Sequence, residues 1–159
     1  MQARLSTIRT TTADAYKAML SLEAALGRGT VPRVTLDLLR LRVSQINGCS
    51  FCVDMHSAEL KEQGQSDRRV WSLAAWREST VYTAEERAAL NLAEYATRIA
   101  DTPDAVPDAV WDEAAAHYSE DDLAYLVMTI ASINAWNRIN VTIRNTSTYE
   151  AHRPPSHQG

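Results

Sequence analysis

The sequence predicts an all-α fold, a compact multi-helix bundle, and three observations carry that expectation. Apolar residues recur at spacings of three and four rather than alternating, the pattern of one helical face turned towards a core. Alanine is abundant while β-branched runs are short, which favours helix over strand. Thr83-Ala-Glu-Glu86 has the form of a capping box directly ahead of an apolar-periodic stretch. At 159 residues the chain has the length of one undivided core, placed at 1–150, with the proline-bearing stretch 151–159 as a mobile tail.

A first helix fits Ala13 to Leu26, with Tyr16, Met19, Leu20 and Ala24 along one side and Gly27 and Gly29 closing it ahead of Pro32. A second carries Leu36, Leu39, Val43 and Ile46 and stops at Asn47-Gly48, both tolerant of the left-handed conformation that ends helices. A third begins at Cys49 and runs to Gln63, with Gly64 just beyond. Ser66 and Asp67 cap a short helix containing Trp71 and Trp76, and the Thr83 box opens a helix through Ala100. Pro103 and Pro107 bracket a turn, Pro107 suiting the first position of a helix that ends near His117. Ser119-Glu-Asp-Asp122 starts the last helix, Glu120 to Ile143, about 36 Å long at 1.5 Å per residue. Apolar residues occupy so much of its circumference that it is either central or shared between subunits, which predicts an oligomer.

A net charge of −4 and a pI near 5.5 argue against a nucleic-acid or anionic-membrane surface, where a basic stripe is expected. The N-terminus has no apolar run of signal-peptide type and no stretch approaches the roughly 18 apolar residues of a membrane span, so the expectation is a soluble cytoplasmic protein. Cys49 and Cys52, the two cysteines of the chain, cannot form the framework of a secreted disulfide scaffold. A pair at that spacing is redox-active or half of a metal site.

The stretch Ser44-Gln-Ile-Asn-Gly-Cys49-Ser-Phe-Cys52-Val-Asp-Met-His56 decides between these. At 100° per residue, Cys49, Cys52 and His56 fall within a sector of about 60° on one helix face. A cysteine at a helix N-terminus is acidified by unpaired amides and the helix dipole, and two cysteines three apart reach disulfide distance. His56, one turn past Cys52, is placed to take and return a thiol proton, and Glu59, three residues further on, to orient the imidazole. Asp54 lies about 200° from Cys52 and points away. A closed zinc site needs four ligands; the motif supplies three, and His117, His152 and His157 lie far off in sequence, so no metal is expected. No glycine-rich nucleotide motif is present, and no cofactor is expected. Trp71, Trp76, Trp111 and Trp136 read as core or interface anchors, and Arg68, Arg69 and Arg77 as a solvated face. Arg138, beside Asn137 in an apolar helix, requires a carboxylate or carbonyl partner if buried.

Cys-x-x-Cys-x-x-x-His after Ser-Gln-Ile-Asn-Gly resembles the active-site motif of the alkylhydroperoxidase D-like (AhpD-like) branch of the carboxymuconolactone decarboxylase family. The likeness runs from Leu36 to Gly64, and Ala135 to Ile139 is similar to the family's last helix. The resemblance implies a helical fold assembled as a homotrimer or homohexamer that reduces organic hydroperoxides. It implies an external dithiol, lipoylated or thioredoxin-like, as electron donor. It implies that Cys52 attacks the peroxide, that Cys49 resolves and exchanges with the donor, and that His56 belongs to a proton relay. The relay's glutamate, twelve residues before the first cysteine, corresponds to Asp37, one methylene shorter. Phe51 stands where peroxidase-active members often carry histidine, and both departures imply a slower peroxidase. Two other readings stand beside this one: a lyase acting on a lactone with His56 as base, and a non-enzymatic helical assembly whose cysteines sense redox state.

Overall fold

The computed structural model describes residues 2–145; the expected tail at 151–159 lies outside the described residues, as do 146–150. The elements are α1 (Ile8–Thr11), α2 (Ala13–Leu26), α3 (Arg33–Asn47), α4 (Ser50–Glu62), α5 (Asp67–Trp71) with a 3₁₀ stretch Ser72–Glu78, α6 (Ala84–Thr97), α7 (Asp108–Ala115) and α8 (Glu120–Ile143). Among the described residues there is no strand. None of their helices is long and apolar enough to cross a membrane.

The central helix is α3, around which α4, α6 and α8 pack. Leu38, Leu39, Leu41 and Val43 are all fully buried on consecutive turns, so α3 faces core on more than one side. Leu36, Leu39 and Val43 meet Leu126, Ile130 and Ile133 of α8, whereas Leu38 and Leu41 meet Leu60, Leu73, Trp76 and Leu90 on the other side. The long α8 has an inner stripe that includes Leu126, Ile130 and Ile133 and leaves Val127, Met128 and Val141 exposed on its outer side.

The predicted ends of α2 and α8 coincide with the observed ones, and the Thr83 capping box forms, Glu86 Oε2 accepting from the Thr83 amide at 2.9 Å. Elsewhere tertiary contacts override the local pattern. α1 was not expected; its threonine hydroxyls donate to backbone carbonyls, Thr12 to Ile8 at 2.6 Å, closing a short turn. The single helix expected through Trp71 and Trp76 breaks at Ala75 (φ −117°, ψ 34°). The tighter 3₁₀ winding puts residues three apart on one side, so Leu73 and Trp76 are both buried while Trp71 stays 77% exposed. α6 ends at Thr97 instead of Ala100, where Arg98 leaves helical geometry and the Thr97 hydroxyl accepts from Asn134 at 3.2 Å. Pro107 caps α7 rather than opening it.

Arg69 and Arg77 do not form a purely solvated face. Arg69 pairs with Glu86 at 2.5 Å, and Arg77 stacks 4.4 Å from the Trp76 ring and reaches Glu94 at 3.0 Å. Buried Glu94 also accepts from Arg42 at 2.6 Å and from the Trp76 indole at 2.9 Å, tying α3, the 3₁₀ stretch and α6 together. Burial pushes its carboxyl up, but the Trp76 and Arg42 hydrogen bonds and the Arg42 and Arg77 guanidiniums outweigh that and hold it below the ordinary 4.5. Arg138 is exposed and donates to the Asn134 carbonyl of its own helix at 3.1 Å.

Candidate active site

The turn between α3 and α4 is dictated by one residue. Gly48 takes φ 67°, its amide reaches the Gln45 carbonyl and the Cys49 amide the Ser44 carbonyl at 3.0 Å, a paired closure that reverses the chain within one residue. Asn47 Nδ2 donates to Asn134 and Asn137 at 3.0 and 2.9 Å, and Asn137 donates to Ser44 Oγ at 3.1 Å, fixing this end of α3 on α8. Cys49 then becomes the N-cap of α4 rather than its first helical residue, and its Sγ accepts the Cys52 amide at 3.3 Å. Cys49 and Cys52 pair as a disulfide with Cα atoms 5.4 Å apart.

Both cysteines are 1% exposed, yet they face different surroundings. Cys52 lines a cavity of about 610 Å³; Cys49 is not among the residues that line it. Asn140 of α8 donates Nδ2 to Cys52 Sγ at 3.5 Å, and its own Oδ1 is held by Asn145 at 2.9 Å. One turn along α4, His56 is 5% exposed, with Nδ1 2.7 Å from Glu59 Oε2. Its Nε2 is buried without a hydrogen-bond partner. A carboxylate on Nδ1 leaves the proton there and Nε2 as a buried lone pair on a residue that lines the cavity, the arrangement of a base.

Asp37, 1% exposed, lies across from this pair. It accepts Arg40 at 2.9 Å and Gln63 at 2.6 Å, with Arg33 at 3.5 Å. Arg40 also bridges to Glu23 at 3.0 Å, which in turn accepts the Trp136 indole at 3.1 Å and the Ser132 hydroxyl. Ligand atoms of Asp37, His56 and Glu59 converge within 4.8 Å, and neither cysteine belongs to that group. With Asp37 already engaged by two guanidiniums and Gln63, and Nδ1 by Glu59, the cluster is organised as a hydrogen-bonded network rather than as an open ligand set.

Cys52, Asp37, His56 and Glu59 therefore line one cavity, and Cys49 is joined to it only through its bond to Cys52, whereas Asp54 is exposed, as its helical angle indicated. Sequence reasoning missed Asn140, Gln63, Arg40 and Glu23; Trp136 packs against the core as expected and also lines the cavity, its ring edge-on to Tyr16 at 5.3 Å. Ser132, Asn137 and Asn140, polar residues on the inner stripe of α8, were the available signal for Asn140.

The carboxymuconolactone decarboxylase family model matches residues 13–95. An uncharacterized Bacillus subtilis protein, YdfG, is 38% identical over 83% of this chain and 88% of its own length. The alkyl hydroperoxide reductase AhpD of Hyphomonas neptunium is 39% identical, over 39% of this chain and 33% of that protein. Among solved structures, an Agrobacterium tumefaciens protein of unknown function, provisionally called an antioxidant defence protein AhpD, superposes with TM-score 0.86. It is 36% identical, over 91% of this chain and 97% of that one.

Proposed function

The chain belongs to the carboxymuconolactone decarboxylase family, in its AhpD-like branch, and from that membership we propose that it is a thiol-dependent peroxidase for organic hydroperoxides. The observation that carries this reading is a cysteine pair of which one member, Cys52, faces a cavity beside the unpartnered Nε2 of His56.

In the reduced protein His56 takes the Cys52 proton through Nε2, and Glu59 stabilises the imidazolium on the opposite side. The Cys52 thiolate, held by the Asn140 amide, attacks the terminal peroxide oxygen. The O–O bond breaks, the alkoxide takes the proton from His56 and leaves as an alcohol, and Cys52 becomes a sulfenic acid. Cys49 attacks that sulfur, the S–O bond breaks, and water leaves with the Cys49 proton. The resulting disulfide is reduced by an external dithiol, lipoylated or thioredoxin-like, which becomes a disulfide itself. A dithiol arriving through the cavity meets Cys52 first, and Cys49 departs as a thiolate that the start of α4 stabilises. This reverses the order of exchange implied by the family resemblance. Asp37 stands by Arg40 as a positioning group for the relay.

This reading treats 1–150 as one domain, assembled as a homotrimer or homohexamer and working in the cytoplasm, where dithiol donors are available. Its test is to give reduced Cys49→Ser protein one equivalent of cumene hydroperoxide and then dimedone. A dimedone adduct on Cys52 is expected, and unmodified Cys52 with unconsumed peroxide contradicts it. The second reading, a lyase with His56 as base, is favoured by the free Nε2 and predicts activity that survives replacement of both cysteines.

A further inference from the structure

The cavity over Cys52 is far larger than the proposed reaction requires. A hydroperoxide group occupies little more than the ~30 Å³ of a water molecule, whereas about 610 Å³ lies within the range of drug-sized ligand sites. Leu20, Leu36, Phe51, Met55, Ile133 and Trp136 give it apolar walls.

Its charges fall into two sets. Glu23, Asp37 and Arg40 are joined to one another, and Glu59 is joined to His56. Arg9 and Arg33 are differently placed. The Arg9 guanidinium rests 5.4 Å from the Tyr16 ring and is exposed. Arg33 has a side chain 73% exposed, and its 3.5 Å contact is to an Asp37 that Arg40 and Gln63 already serve more closely. Both keep guanidinium donors at the solvent side of a cavity whose reactive sulfur is buried.

We propose, resting on the peroxidase reading above, that this cavity selects an amphipathic hydroperoxide bearing a carboxylate, an oxidised medium- or long-chain acid. The apolar body lies on the Leu20, Leu36 and Trp136 walls, the peroxide reaches Cys52, and the carboxylate meets Arg9 and Arg33 at the rim. A cationic substrate would face the same two guanidiniums and be disfavoured.

The experiment compares a fatty-acid hydroperoxide with its methyl ester, identical in tail and reactive group, on native protein and on an Arg9→Gln/Arg33→Gln double variant. A preference in kcat/KM for the acid of at least about fivefold is expected, the order of two partly exposed ion pairs. The ratio should fall to near one in the double variant. A ratio near one in the native protein, or a preference that survives in the double variant, overturns the proposal. Calorimetric binding of octanoate against octanol to the oxidised protein separates the two readings. Anion preference there, lost in the double variant but without turnover of either hydroperoxide, keeps the amphipathic-anion cavity and removes the peroxidase chemistry; no preference removes the cavity assignment.

Discussion

Cys49 and Cys52 share a motif and a burial, but their partners differ, and that difference is testable. Cys49 Sγ faces a helix-start amide, whereas Cys52 Sγ faces Asn140 and the cavity. A monothiol added to the oxidised protein and quenched with acid should therefore be found on Cys52, leaving Cys49 free; mass spectrometry finding it on Cys49 would restore the order implied by the family resemblance. Asn140→Ala removes a donor from the Cys52 sulfur. Because a hydrogen bond to a charged group contributes about 1.5–3 kcal/mol, alkylation of Cys52 at neutral pH should slow by about tenfold or more, with Cys49 little changed. Cys49, Cys52 and His56 were legible because a helix repeats on a fixed angle and all lie within one stretch of it. Asn140 lies 88 residues away, and only the packing of α8 on α4 brings it to the sulfur.

The elements were legible where the signal is local and obscure where packing decides. Capping hydroxyls at Thr83 and Ser119 fixed two helix starts, and Gly48 fixed the reversal before Cys49. The α5 and 3₁₀ segment was misread because the burial of Trp76 beside Glu94 sets its winding, and no local propensity records a carboxylate 18 residues on. Gly48→Ala tests the reversal. A Cβ there meets nothing within 4 Å, so the cost is the left-handed backbone alone, about 1–2 kcal/mol in thermal or denaturant unfolding. Glu94→Gln tests the tie between α3, the 3₁₀ stretch and α6, with an expected loss of about 3 kcal/mol as buried guanidinium pairing is broken. The sign of its pH dependence follows from a folded-state carboxyl below the ordinary 4.5. Its contribution is complete above that value and is lost as pH falls through the lower folded value. The acid limb of stability should consequently be shallower in Glu94→Gln than in the native protein, and equal slopes would contradict the assignment.

At the scale of the molecule, α3 is the buried axis and α8 keeps an outer face, with Val127, Met128 and Val141 each more than 40% exposed. An all-helical fold follows from the sequence pattern alone, but which helix sits at the centre does not, because a long apolar helix reads alike whether neighbours cover it wholly or on one side. The proposed assembly predicts a solution mass three or six times 17.7 kDa by light scattering; a mass of 17.7 kDa would contradict it. The central claim is that the cysteine pair is a working dithiol served by the cavity. Its most direct test is a titration of free thiols in the reduced protein before and after one equivalent of cumene hydroperoxide, with Cys49→Ser and Cys52→Ser alongside. Rapid loss of two thiols per chain, requiring both cysteines, is the predicted result; two thiols that persist and remain reactive to alkylation would contradict it.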